Sequence, residues 1–162
     1  MIRAVTIALA LAIAAPAAAS ENAFLTIVGH LEAIRQELIK DSTKDVSIHA
    51  EAITSAAAEL AESPAGVQAG VADADLPAVR ELLAEVQQRA TNLAEAADLE
   101  SVREAYAKLT QPMVRWHTLV QGDRPVVVYC PHAKKAWLQP DEEVGNPFLP
   151  TTMLRCGSVV AR

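Results

Sequence analysis

The sequence predicts an all-α protein: an antiparallel four-helix bundle with an irregular, Cys- and Pro-containing C-terminal arm packed on it. Three observations predict this. Apolar residues make up 51% of the chain and aromatic residues only 4%, a composition suited to alanine-rich helices that approach closely. Four stretches repeat apolar residues at steps of three and four, the spacing of one helix face. After Gln121-Gly122 the pattern stops, and the remaining chain carries both cysteines and most of the prolines.

The first segment is set aside from the fold. Arg3 precedes an apolar run from Ala4 to Ala15, and Pro16 leads into Ala17-Ala18-Ala19. A positive start, a short apolar core and an A-x-A site describe a secretory signal peptide, here residues 1–20 with cleavage near Ala19. The run is shorter than the ~20 residues that span a bilayer, so no membrane insertion is expected after cleavage. The remaining residues, 21–162, are read as one domain, with the bundle at about 22–121 and the arm at about 122–162.

The first helix follows from Phe24, Ile27, Leu31, Ile34 and Leu38. Asp41-Ser42-Thr43 interrupts it and offers capping oxygens to a second helix, whose stripe is Val46, Ala50, Ile53, Ala57 and Leu60. Ser63-Pro64-Ala65-Gly66 marks a loop. Asp75 then caps a third helix, with Pro77 tolerated in its first turn and a stripe of Val79, Leu82, Val86, Ala90, Leu93 and Ala97. The fourth, opened by Asp98, is the most regular: Leu99, Val102, Tyr106, Leu109, Met113, Trp116 and Val120. Pro112 lies inside it and removes a helical hydrogen bond, which predicts a kink or break near Thr110. Beyond the bundle, Arg124 to Tyr129 is β-branched and extended, and the arm reads as a short strand or extended piece plus loops laid against the bundle.

The charge, 14 basic against 20 acidic side chains for a net −6, excludes an electrostatic nucleic-acid binder. There is no G-x-S-x-G, HExxH or glycine-rich phosphate loop, so an enzyme is not expected. The acidic run Asp141-Glu142-Glu143 reads as a solvated turn.

Chemistry concentrates in the arm. Cys130-Pro131-His132 and Met153-Leu154-Arg155-Cys156 hold two thiols, an imidazole and a thioether. These donors suit Cu(I) and, less selectively, Zn(II). Cys130, His132, Met153 and Cys156 are therefore the candidate ligands, with His117 and Met113, four apart on the fourth helix, as reserve donors. Met113 also fits the core stripe as a packing residue. His30 and His49 are isolated on their helices and read as solvated or partly packed. The competing reading of the cysteines is a Cys130–Cys156 disulfide, the usual fate of two cysteines in an exported chain. Both readings require the cysteines to be neighbours.

The arm resembles a known family. Tyr129-Cys130-Pro131-His132-Ala133, Ala136-Trp137-Leu138, Val144-Gly145-Asn146-Pro147-Phe148 and Met153-Leu154-Arg155-Cys156-Gly157 occur in the order of the motifs of domain of unknown function family 3347. The stretch from Asp98 through Arg103 and Tyr106 to Thr110 is similar to a helix of that family, as is the first helix up to Asp41. Family members are small exported proteins or domains attached to periplasmic adaptors of copper and silver efflux systems. The resemblance implies a helical bundle with a metal-associated tail, a periplasmic location and an efflux adaptor or other envelope protein as partner. His132 stands where the family has methionine, which shifts the donor set toward Cu(II) or Zn(II). The expected function is thus a periplasmic soft-metal binder, with copper as Cu(I) or Cu(II) first and zinc second, serving metal buffering, resistance or transfer to efflux. The alternative is a non-metal envelope structural or interaction module closed by a Cys130–Cys156 disulfide.

Overall fold

A computed structural model describes residues 22–62 and 65–162 of the chain. The expected signal segment and Ser63-Pro64 of the expected loop lie outside the described residues. Four long helices occur where the stripes place them: α1 (Ala23–Ile39), α2 (Val46–Glu62), α4 (Leu76–Ala94) and α5 (Leu99–His117). Two single-turn helices, α3 (Gly66–Ala69) and α6 (Pro150–Met153), lie between α2 and α4 and in the C-terminal region. The stripe residues of α1 and α2, those of α4 from Val79 to Leu93 and those from Val102 to Val120 are buried and form one continuous core; Ala97 lies beyond the end of α4 and is exposed, and Leu99 is half-buried. α2 packs on α1 and α4, and α4 packs on α5.

The arm is not irregular. Strands β1 (Val126–Cys130), β2 (Lys135–Gln139) and β3 (Ser158–Ala161) form an antiparallel sheet in the order β2-β1-β3. The fold is therefore not the all-α four-helix bundle that the stripes predict; it is a helical layer with a three-stranded sheet laid on α5. Burial supplies the reason. Val126, Val127, Val128 and Cys130 on the central strand are buried and only Tyr129 is exposed, so the strand lacks the regular apolar–polar alternation that marks a strand in a sequence. α5 buries a second row beside its stripe, including Ala107, Thr110 and His117. That row contacts the sheet side: the Thr110 hydroxyl donates to the Ala136 carbonyl on β2 at 2.9 Å. A helix between two layers needs apolar or hydrogen-bonded groups on two faces, and one stripe describes only one of them.

Pro112 also behaves differently from expectation, because α5 runs unbroken through it. A proline at 112 leaves the carbonyl four residues earlier, that of Lys108, without its helical partner. Arg89 on α4 takes the place of the missing amide, its Nη1 donating to the Lys108 carbonyl at 2.6 Å. The orphaned acceptor is satisfied from outside the helix, so the backbone has no reason to bend toward another donor.

The expected caps divide. Asp98 accepts from the Ser101 amide at 2.8 Å while the Ser101 hydroxyl accepts from the Asp98 amide at 3.2 Å, a reciprocal cap. Asp75 makes no side-chain cap; a 3-10 turn over Asp73–Asp75 leads into α4 instead. Asp98→Ala is expected to destabilise the protein by about 1 kcal/mol in urea unfolding, and an unchanged midpoint would show that the first turn of α5 holds without it.

Candidate functional site

The site is assembled by the sheet. β1 and β2 are joined by a four-residue loop, Pro131 to Lys134, closed by the Cys130↔Lys135 pair. Lys134 takes a left-handed conformation, φ 54°, and turns the chain back. The loop carries His132 outward at its tip, exposed to solvent. On the other side of β1, the antiparallel pair Tyr129↔Ser158 sets the register of β3. Cys130 lies one residue beyond this pair on β1, and Cys156 two residues before it on the incoming chain. The two cysteines are thereby neighbours: their Cα atoms are 5.6 Å apart and their sulfurs are bonded as a disulfide. His132 Nδ1 lies 3.4 Å from the Cys156 sulfur. The donor atoms of Cys130, His132 and Cys156 all fall within 4.8 Å of one another.

Three devices fix Cys156. Gly157 follows it at φ 149°, and a Cβ there would sit 2.6 Å from Val128 Cγ1 on the central strand, so only glycine lets the chain enter β3 this closely. Asn146, fully buried, donates its amide to the Cys156 carbonyl at 2.9 Å. The same side chain accepts from the Phe148 and Leu149 amides at 2.8 and 3.0 Å, which folds the Asn146-Pro147-Phe148 segment into a tight turn. Finally, the Cys156 amide donates to the Met153 carbonyl at 2.9 Å, closing the end of α6.

The turn itself is tied to the helices by two arginines, Arg35 buried and Arg103 half-buried. Arg35 on α1 forms a fork with Glu32, at 2.6 and 2.7 Å, and donates its remaining Nη1 to the Gly145 carbonyl at 2.7 Å. Arg103 on α5 donates to the carbonyls of Pro147 and Leu38 at 2.9 and 3.0 Å. On the sheet side, buried Gln139 accepts from Trp137 Nε1 at 2.9 Å and donates to the carbonyls of Asp141 and Glu143 at 2.7 and 3.1 Å. The acidic run Asp141-Glu142-Glu143 is itself exposed, as a solvated turn should be.

The candidate residues separate into those the fold gathers and those it places elsewhere. Cys130, His132 and Cys156 are gathered. Met153 is joined to Cys156 through the backbone, and its side chain is 40% exposed. Met113 is fully buried in the helical core. His117 is also buried, and its Nε2–H donates to the Pro125 carbonyl at 2.8 Å. Burial, ahead of all other influences, lowers its pKa and keeps the ring neutral. The ring fastens α5 to the segment entering β1.

Sequence reasoning missed one pair. His30 on α1 and His49 on α2, each read as isolated, meet with their Nδ1 atoms 3.1 Å apart. The hairpin between α1 and α2 brings them together across a separation of 19 residues, which no ligand-spacing pattern encodes. No helix among the described residues is long and apolar enough to cross a membrane. No family model, curated protein or solved structure matches the chain.

Proposed function

We propose that the protein is a periplasmic soft-metal carrier in which Cys130, His132 and Cys156 hold one copper ion when the thiols are reduced. The convergence of these three donors within 4.8 Å carries the reading. Two thiolates and an imidazole form a set chemically matched to Cu(I), with Zn(II) as a poorer competitor in soft character. The exposed loop position of His132 leaves the centre open for exchange with a partner protein. The disulfide is the closed, metal-free form: a dithiol or phosphine reductant supplies two electrons, the S–S bond breaks, and two protons complete the thiols. The thiols must then lose their protons to bind, so affinity falls as pH is lowered. Disulfide chemistry and the expected export signal support an oxidising envelope compartment. The family likeness of the arm adds an efflux adaptor as the partner class.

The test is Cu(I) titration of the reduced protein against a competing chelator. Wild type should take one equivalent. The Cys130→Ser, Cys156→Ser double variant should lose more than about 100-fold in affinity, beyond the 10–100-fold that a merely supporting partner contributes. Equal affinity in both proteins would remove the thiols from the site.

A second reading is favoured by the state of the cysteines: the sulfurs are bonded, and Cys130, at the end of the central strand, is fully buried. In that reading the bridge is purely structural and the protein is an envelope interaction module. Protein isolated without reductant, thiol-blocked and weighed by mass spectrometry, would then stay fully oxidised in cells, and its reduced form would bind no copper.

A further inference from the structure

Outside the sulfur-bearing centre, the most unusual polar juxtaposition is the pair His30 and His49. The two rings lie on facing helices with centroids 5.3 Å apart, tilted by 44°. Each ring is half-buried. Their Nδ1 atoms are hydrogen-bonded to each other at 3.1 Å, one ring donating and the other accepting, so an ion held by both nitrogens takes the place of that proton, which moves to Nε2. Among the described residues, no further His, Cys, Asp or Glu donor joins them, and neither ring has another side-chain partner of the kind that usually fixes a packed histidine.

We propose that His30 and His49 form a second cation site, separate from Cys130, His132 and Cys156, that takes Cu(II) and bridges α1 to α2. The spacing fits a shared ion. An ion about 2.0–2.1 Å from each nitrogen subtends an angle of about 95–100° at a nitrogen separation of 3.1 Å. That is the angle between neighbouring positions of a tetragonal ion, and the half-exposed rings leave the other positions to water. The donors are two imidazoles with no thiolate and no carboxylate. Among first-row divalent ions such a set favours copper most strongly. Burial, followed by the neighbouring ring's charge, lowers the pKa of His30. Its lone pair is therefore available at neutral pH, where an isolated surface histidine is still partly protonated.

The test uses oxidised protein, in which both thiols are consumed in the disulfide, with His132→Ala as the background so that the other exposed ring cannot contribute. Glycine is added as a weak competitor to suppress scattered surface binding. Cu(II) titration followed by electron paramagnetic resonance should give one equivalent with coupling to two imidazole nitrogens, and the ion should raise the melting temperature. His30→Gln and His49→Gln should each weaken binding by at least 10-fold and abolish the two-nitrogen pattern. Glutamine is a good helix former, so the hairpin should persist, and circular dichroism checks this. Absence of uptake by the background protein, or undiminished uptake in the double Gln variant, would overturn the site. Neither result bears on the thiol centre, which is closed throughout the experiment.

Discussion

Reducing the Cys130–Cys156 bond is expected to lower the melting temperature by about 10 °C. The bridge spans 26 residues, and in the chain-entropy description a loop of that size restrains the unfolded chain by roughly 3–4 kcal/mol. For a domain of this length each kcal/mol moves the midpoint by about 2–4 °C. The effect should be reproduced by Cys156→Ser, since that side chain is only half-buried and its hydroxyl can reach water. Cys130→Ser should be worse than Cys156→Ser, because its hydroxyl is placed in a fully buried position. Calorimetry with and without reductant, with free thiols counted in each sample, measures both. A midpoint unmoved after two thiols have been titrated would mean that the bridge adds no net restraint to the unfolded chain. It would also favour the metal-carrier reading, since such a centre opens with little loss of structure.

Trp137→Ala should be the most damaging single substitution near the site, about 3–5 kcal/mol. The indole is fully buried on β2, opposite Val128 on the central strand. It meets Phe148 edge to face at 5.9 Å between centroids, and its N–H donates to Gln139. Removing it leaves a large hole at the junction of the sheet and the Asn146 turn, and takes a donor away from a buried amide. Total stabilities of 5–15 kcal/mol are usual for such domains, so the loss is a large share. Trp137→Phe keeps most of the packing and loses the N–H, and should cost only about 1–2 kcal/mol. Guanidinium unfolding of the three proteins provides the comparison. An alanine variant within 1 kcal/mol of wild type would show that the turn is supported from elsewhere.

The helices were legible because each writes its buried face into the sequence at steps of three and four, and because Asp98 marks the start of α5. The sheet was not. β2 and β3 are five and four residues long, and the loop that joins β1 to β2, Pro-His-Ala-Lys, has none of the Asn-Gly chemistry that announces a hairpin. The second buried row of α5 was hidden because Thr110 and His117 are polar, and only their hydrogen bonds to the sheet side make them interior residues. At the site, the closeness of Cys130 and Cys156 could be anticipated from their chemistry alone. The roles of Arg35, Arg103 and Gln139 could not, because each acts on backbone carbonyls far away in the chain, and carbonyls leave no mark in a sequence. His30 and His49 escaped for a related reason: their meeting depends on how the turn between two helices aligns them.

The contact between Arg89 and the Lys108 carbonyl has a consequence for how α4 and α5 line up. Because Pro112 has no amide, α5 carries a single vacant acceptor along a shaft whose other backbone groups are mutually engaged. A helix advances about 1.5 Å per residue, so a slip of even one or two positions carries that acceptor away from the guanidinium. Two apolar faces rich in alanine and leucine would tolerate such sliding, since one small side chain fits much like the next. The proline thus works as a positional key, giving two otherwise smooth helices one preferred axial alignment.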